Sequence, residues 1–182
     1  LDGFFQQWVW SDGHPKLTVN LSESKGLLLA GVTQTQSGDG TPSAYRFDLP
    51  IEVVFEDGER QRIVLPVRDR ERSFAVPVAK KVSTVRVDPG FSVQAEITLK
   101  SSNAWLKALV YDECPLLSVR AATALIDGGS AEGMGVVREA LVTHPFWGVR
   151  GDLAGRLARL GGATNRDALL AAVDSEKEPR SR

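Results

Sequence analysis

The hydrophobic period of this chain changes once, and that change constrains its fold more than any other feature. From Lys16 to about Lys100 apolar residues recur at every second position. Leu17, Val19 and Leu21 alternate with polar neighbours, as do Phe47, Leu49, Ile51, Val53 and Phe55. Ile63, Leu65 and Val67 continue the pattern, then Phe74, Val76 and Val78, then Val93, Ala95, Ile97 and Leu99. Side chains on a strand point alternately to opposite faces, so each run has one apolar and one wet face. From Ser102 onward the spacing is helical: Trp105, Leu106, Leu109 and Val110 share a face, as do Val119, Ala122, Thr123 and Ile126. The switch near Ser101-Ser102-Asn103 is the expected domain boundary.

Adding Leu27–Gln36 and Val82–Asp88 gives about seven strands, with turn signals spaced as in an antiparallel sandwich. Asp57-Gly58 lies between two alternating runs and predicts a tight hairpin, because glycine accepts the positive φ such turns need. Ser37 to Pro42 forms a polar loop, and Asp88-Pro89-Gly90 breaks the chain before the last strand. Pro50 has no N–H to give a ladder, which predicts an edge strand or a bulge.

The helical half repeats itself. Pro115-Leu116-Leu117-Ser118-Val119-Arg120 matches Pro145-Phe146-Trp147-Gly148-Val149-Arg150 at an offset of 30, and Gly128-Gly129 matches Gly161-Gly162 at an offset of 33. Val136, Val137 and Ala140 then fall on Leu169, Leu170 and Val173. Each unit is a proline at a helix start, an apolar helix, a Gly-Gly break and a second helix. One such pair cannot bury its own apolar face, so pairs must stack. The Pro…Val-Arg signature resembles HEAT repeats. A third copy is expected to open at Pro179, with the array truncated at Arg182.

Composition excludes several classes. The 182 residues carry 22 Lys plus Arg against 23 Asp plus Glu, with no basic stripe interleaved with aromatics, so no nucleic-acid partner is expected. No apolar run approaches the ~18 residues of a membrane span, so no membrane partner is expected either. The single cysteine, Cys114, forms no internal disulfide, which leans the location toward the cytoplasm without fixing it. The opening Leu1-Asp2-Gly3-Phe4-Phe5 lacks an initiator Met and a leader, and is expected to be cut from something longer.

Few residues invite chemistry. His14 and His144 each precede a proline and are far apart, which predicts turn and cap roles rather than metal binding. Cys114 has no histidine at nucleophile-base spacing and reads as a small filler. Glu56-Asp57-Gly58-Glu59 reads as a solvated hairpin tip rather than a calcium loop. Trp8 and Trp10 are either a ligand platform or a packing seam against an upstream domain, and the seam is favoured because exposed aromatic clusters mark interfaces. Arg120 and Arg150 recur once per repeat, which predicts a structural role between neighbouring helices. No catalytic, cofactor-binding or metal-ligating residue is assigned.

Several short motifs occur in a telling order. Phe4-Phe5-Gln6-Gln7-Trp8 followed by Gly13-His14-Pro15-Lys16-Leu17-Thr18-Val19 resembles the passage leaving the catalytic domain of aminopeptidase N-like zinc peptidases. Val32-Thr33-Gln34, Tyr45-Arg46-Phe47-Asp48-Leu49-Pro50-Ile51 and Val87-Asp88-Pro89 resemble later parts of that family's sandwich. Trp105-Leu106 through Arg120-Ala121-Ala122 resembles its superhelical C-terminal domain. The resemblance implies a mixed, multidomain chain: residues 1–15 a linker from a missing upstream domain, 16–101 an all-β immunoglobulin-like sandwich, 102–182 all-α HEAT-like repeats. It also implies a non-catalytic fragment that braces an upstream catalytic domain and caps its cleft. The parent's zinc would sit in that domain, on an H-E-x-x-H motif absent here, and the parent would act on peptides. The competing expectation is a protein-interaction module, sandwich plus solenoid, with no peptidase parent. A carbohydrate-binding sandwich is disfavoured, because the aromatics are not spread along one strand face.

Overall fold

The computed structural model describes residues 2–176. The chain divides into two compact units, Leu1–Ser102 and Asn103–Arg182. The first holds helix α1 (Asp2–Trp8) and strands β1 (Lys16–Ser24), β2 (Leu27–Gln34), β3 (Phe47–Phe55), β4 (Arg60–Val67), β5 (Glu71–Pro77), β6 (Val82–Val87) and β7 (Glu96–Lys100). The second holds α2 (Asn103–Val110), α3 (Pro115–Gly128), α4 (Ala131–Thr143), α5 (Trp147–Leu160) and α6 (Ala163–Ser175).

The strands form two sheets in a sandwich-like arrangement, ordered β5-β2-β1-β7 and β4-β3-β6. Of the period-two residues, Leu17, Val19, Leu49, Ile51, Val53, Leu65 and Val67 are buried in the core, joined by Leu28, Val32 and Val87 of the other strands, whereas Phe74 and Val76 are only half-buried. Register keeps them on one face, with Leu17 opposite Gln34 and Ile97, and Leu49 opposite Leu65. One pairing departs from the antiparallel expectation. β1 and β7 run parallel, which is possible because the chain between them makes the long crossover such a pair requires.

Pro50 also differs from expectation: it lies in the central strand of its sheet. Its carbonyl accepts from Asp88 N (2.8 Å), so its missing N–H would also face Asp88. The β3–β6 ladder ends there, at Ile51 opposite Val87, and Asp88 turns away with φ 46°. The absent donor therefore costs the ladder no bond. The Asp88 carboxylate secures the turn by accepting from Ser92 N (2.9 Å), Ser92 Oγ (2.8 Å) and Val93 N (3.0 Å). The Asp57-Gly58 hairpin closes through Gly58 N to Phe55 O (3.0 Å), with Gly58 at φ 84°.

Two buried polar groups organise this unit. Glu52, on the face of β3 away from the core, stands opposite Arg62 on β4 and Arg86 on β6. Burial pushes its pKa up, but hydrogen bonds from Arg86 and Arg62 and the nearby Arg60 charge outweigh that and hold it below the usual carboxylate value. Gln34 fills both ends of its amide. Its Nε2 donates to Tyr45 O (2.8 Å) and Asp69 O (3.0 Å), while its Oε1 accepts from Tyr45 N (2.8 Å) and Gln36 Nε2 (3.1 Å).

In the helical unit α3 packs against α2, α4 and α5, and α6 against α4 and α5. Leu117, Ala121 and Leu125 form the buried stripe of α3; Val149, Leu153 and Leu157 form that of α5. These stripes superpose at an offset of 32, one residue off the Gly-Gly offset and two off the proline offset. The reason lies at the two starts. Pro115 occupies the first turn of α3, whereas α5 begins at Trp147, two residues after Pro145. The intervening turn is held by His144, whose Nδ1 accepts from Phe146 N (3.1 Å). Ser130 caps α4 by accepting from Gly133 N (3.0 Å). A Cβ at Gly133 would come within 3.2 Å of Leu125, so α3 and α4 approach closely there. The third copy at Pro179 lies outside the described residues.

Leu170 and Val173, placed on the apolar face by the repeat alignment, are exposed; Leu169 is half-buried. At the offset of 32, Val173 corresponds to Leu141 of α4, which is buried in the neighbourhood of α6. Helix α6 has no fully buried residue among the described ones. No helix among the described residues is long and apolar enough to cross a membrane.

Two measurements check these roles. Gln34→Leu should strip Tyr45 N, Tyr45 O and Asp69 O of partners, and at ~1–3 kcal/mol per unsatisfied buried group should cost about 3 kcal/mol or more by urea unfolding. Burial, aided by the Arg150 charge, pushes the His144 pKa below its ordinary 6.5. The unfolded chain then binds the proton more readily. His144 therefore contributes stability fully above about pH 6.5, and that contribution is lost as pH falls from there toward the folded value. His144→Asn should flatten that part of the helical unit's pH–stability curve.

Candidate functional site

The aromatic cluster singled out from sequence lies at the start of the chain, where Asp2–Trp8 folds as a helix in the stretch expected to be a linker. Helix α1 is only 7 residues long, too short for its period to register in the sequence. Asp2 in its first turn suits the positive end of the helix dipole. Its last turn closes with Val9 N and Trp10 N on Phe5 O (3.0 Å each), and Ser11 Oγ donates to Gln6 O (2.6 Å).

Trp8 and Trp10 part ways. Trp8 is half-buried and turns inward, its ring 5.1 Å from Tyr45 and 6.5 Å from Phe47. Trp10 turns outward at 68% exposure, beside Phe5 (5.8 Å). Phe4, Phe5 and Val9 are exposed with it, so α1 presents a continuous aromatic surface to solvent. The helix is seated by Gln7, whose amide pairs with the Arg46 backbone as a strand would: Nε2 to Arg46 O (2.8 Å) and Arg46 N to Oε1 (2.9 Å). Tyr45 supports it from below, fully buried, with its hydroxyl donating to Asp12 O (3.1 Å). Gln7 and Arg46 were not singled out from sequence. They lie 39 positions apart, and no local period links them.

Between α1 and the sandwich lies an open cavity of about 710 Å³, lined by Phe4, Trp8, Phe47 and Val93 on its apolar side and by Gln7, Arg46 and Gln94 on its polar side. Asp48 also lines the cavity, and its carboxylate pairs with the Arg68 guanidinium, which also donates to Phe47 O (2.6 Å).

The histidines do not gather ligands. His14 is exposed, 3.9 Å from Glu96. His144 is buried, stacks on Tyr111 (5.9 Å) and spends Nδ1 on Phe146. Arg150 donates to His144 O (2.7 Å) and forms a two-point pair with Glu176 (2.8 and 2.7 Å), tying the start of α5 to the end of α6. Cys114 is the N-cap residue of α3, partly exposed, and its backbone N–H donates to Asp112 Oδ1 (2.8 Å). Among the described residues no group of three or more His, Cys, Asp or Glu could hold a metal, so the residues present do not fit zinc.

The different settings of the two indoles predict different costs. Trp8→Ala should destabilise the sandwich by about 2 kcal/mol, half the range for a fully buried tryptophan. Trp10→Ala should stay within about 0.5 kcal/mol, as an exposed substitution does. Denaturant unfolding of the two variants checks both.

No family model and no curated protein matches the chain. Among solved structures, the chain is similar to a Legionella pneumophila aminopeptidase A crystallised with aspartic acid, with a TM-score of 0.56 and 14% identity. The match covers 96% of this chain and 22% of that one, so this chain spans about a fifth of the length of the aminopeptidase it resembles. At that identity the likeness shows a shared fold, two sheets followed by helices.

Proposed function

We propose that this chain is a non-catalytic segment of an aminopeptidase N-like zinc peptidase, bracing the catalytic domain through α1 and capping its cleft with the helical unit. The observation that carries the proposal is the fold match: nearly all of this chain resembles a minor part of an aminopeptidase. The motif order from Phe4 to Ala122 supports it independently. In this reading residues 1–15 lead from the catalytic domain, 16–101 form the sandwich, and 102–182 form HEAT-like repeats that continue past Arg182. Zinc and the peptide substrate belong to the upstream domain, and Trp8 and Trp10 lie on the contact surface with it. A cytoplasmic location fits the lone cysteine.

A second reading, a protein-interaction module without a peptidase parent, is favoured by one observation: Leu160, Leu170 and Val173 stand exposed at the outer end of the helical unit. Concave or terminal faces of helical arrays commonly bind other proteins. The coding sequence upstream of Leu1 separates the two. An H-E-x-x-H motif there supports the peptidase reading, and its absence sinks it.

Two outcomes are expected of the proposal. The isolated chain should hydrolyse no aminoacyl-p-nitroanilide and hold no stoichiometric zinc, while the parent should lose activity on chelation. Chelator-sensitive turnover by the isolated chain would overturn the assignment. Adding the next ~30 residues beyond Arg182, about one repeat, should raise hydrogen-exchange protection of α6 more than that of any strand. Equal protection with and without the extension would end the claim of a continuing array.

A further inference from the structure

We infer that the groove between α1 and the start of β3 receives a peptide segment bearing an apolar side chain next to a carboxylate, with the carboxylate seated on Arg46. The inference rests on the reading of α1 as the contact surface for an upstream domain, and it names what that domain presents.

Three observations carry it. First, the groove is large enough, at about 710 Å³, to take one or two side chains, and its apolar wall is built from Phe4, Trp8, Phe47 and Val93. Second, the charges around it are unevenly spent. Asp48 is engaged by Arg68, whereas no carboxylate pairs with the Arg46 guanidinium among the described residues. The groove thus offers one uncommitted cation beside an aromatic wall. Third, the site is preformed. Gln7 fixes both backbone groups of Arg46, and Trp8 is held against Tyr45 and Phe47, so docking orders little beyond the Arg46 side chain itself.

The ligand chemistry follows. An arginine fork matches a carboxylate at two points, and in a groove walled by rings the pair is partly shielded from water and gains strength. A phosphate-rich polymer needs several cations along a track, and this groove has one. An aliphatic or aromatic side chain adjacent to the acid fills the apolar wall while its carboxylate reaches the rim.

The test uses the full 182-residue chain and two capped dipeptides, N-acetyl-Phe-Glu-amide and N-acetyl-Phe-Lys-amide, titrated in low salt while the Trp8 indole and Arg46 Nε–H resonances are followed. The glutamate peptide should move both signals and bind roughly fivefold tighter than the lysine peptide, as one partly exposed charge pair allows. Salt should erase the difference, Arg46→Met should abolish it, and Arg46→Glu should reverse it. Equal binding of the two peptides, binding that moves other residues only, or no binding at all overturns the inference. Footprinting of the parent protein keeps the underlying reading separate. If Trp10 is shielded there and stays shielded in an Arg46→Glu parent, α1 is a contact surface but Arg46 does not select a carboxylate.

Discussion

The amide of Gln34 is the interaction on which the upper end of the sandwich depends. It ends β2 and, together with the buried Tyr45 ring, anchors the chain from residue 35 to residue 46. Its four hydrogen bonds tie that segment at Tyr45, tie the β4–β5 turn at Asp69, and hand on through Gln36 to Pro42 O and to Lys16 N at the start of β1. A half-satisfied network in a low-dielectric core would cost more than an apolar one, so the full complement matters more than any single bond. Fixing Tyr45 has a second effect. Its ring is the floor on which Trp8 rests, and its backbone continues into Arg46, where Gln7 docks. The seat of α1, and with it the aromatic surface, is thus set by a glutamine three strands' length away in sequence.

The helical unit is organised on a different basis. Its repeat is a repeat of packing, read from the buried stripes of α3 and α5, and the sequence around those stripes drifts by one or two positions at the turns. The two starts explain the drift. A proline can open a helix directly, as Pro115 does, or stand outside it when another group satisfies the first free N–H, as His144 does for Phe146 N. The second pair is then retied at its far end by Arg150, which bridges the His144 turn and Glu176. Each pair leans on the next, and the burial of α4 against α6 has no counterpart on the outer side of α6 among the described residues.

What was legible in the sequence is what has a local period. The alternation in β1, β3 and β4 gives the strands and their inward faces, because burial of every second residue leaves a direct imprint. The Asp57-Gly58 hairpin and the Asp88 turn were readable because positive φ restricts the residue choice. What was not legible depends on residues distant in the chain. The parallel β1–β7 pair, the placement of Pro50 in a central strand and the Gln7–Arg46 seat each need a partner tens of residues away. The two tryptophans illustrate the limit. Sequence marks both as aromatic and near a strand, but only the position of Tyr45 decides that Trp8 faces in while Trp10 faces out.

The aromatic surface of α1 and the apolar end of α6 are both open, yet they differ in what docking on them would cost. A short helix of seven residues should fray in isolation, since helix nucleation is unfavourable and few bonds offset it. Here α1 is held by a side chain that mimics a strand pairing and by an indole set against two buried-side rings. The ordering entropy has therefore been met by the sandwich itself, and a partner meets a fixed surface. Helix α6 is less deeply seated: its inner face is only half-buried, and long-range polar links reach it from Arg138 to Asn165 (3.0 Å) and, just past its end, from Arg150 to Glu176. A partner there would cover Leu170 and Val173, which the unit itself leaves exposed. The fixed aromatic surface on α1 suits the role that the proposed reading gives it, a contact made with little further ordering.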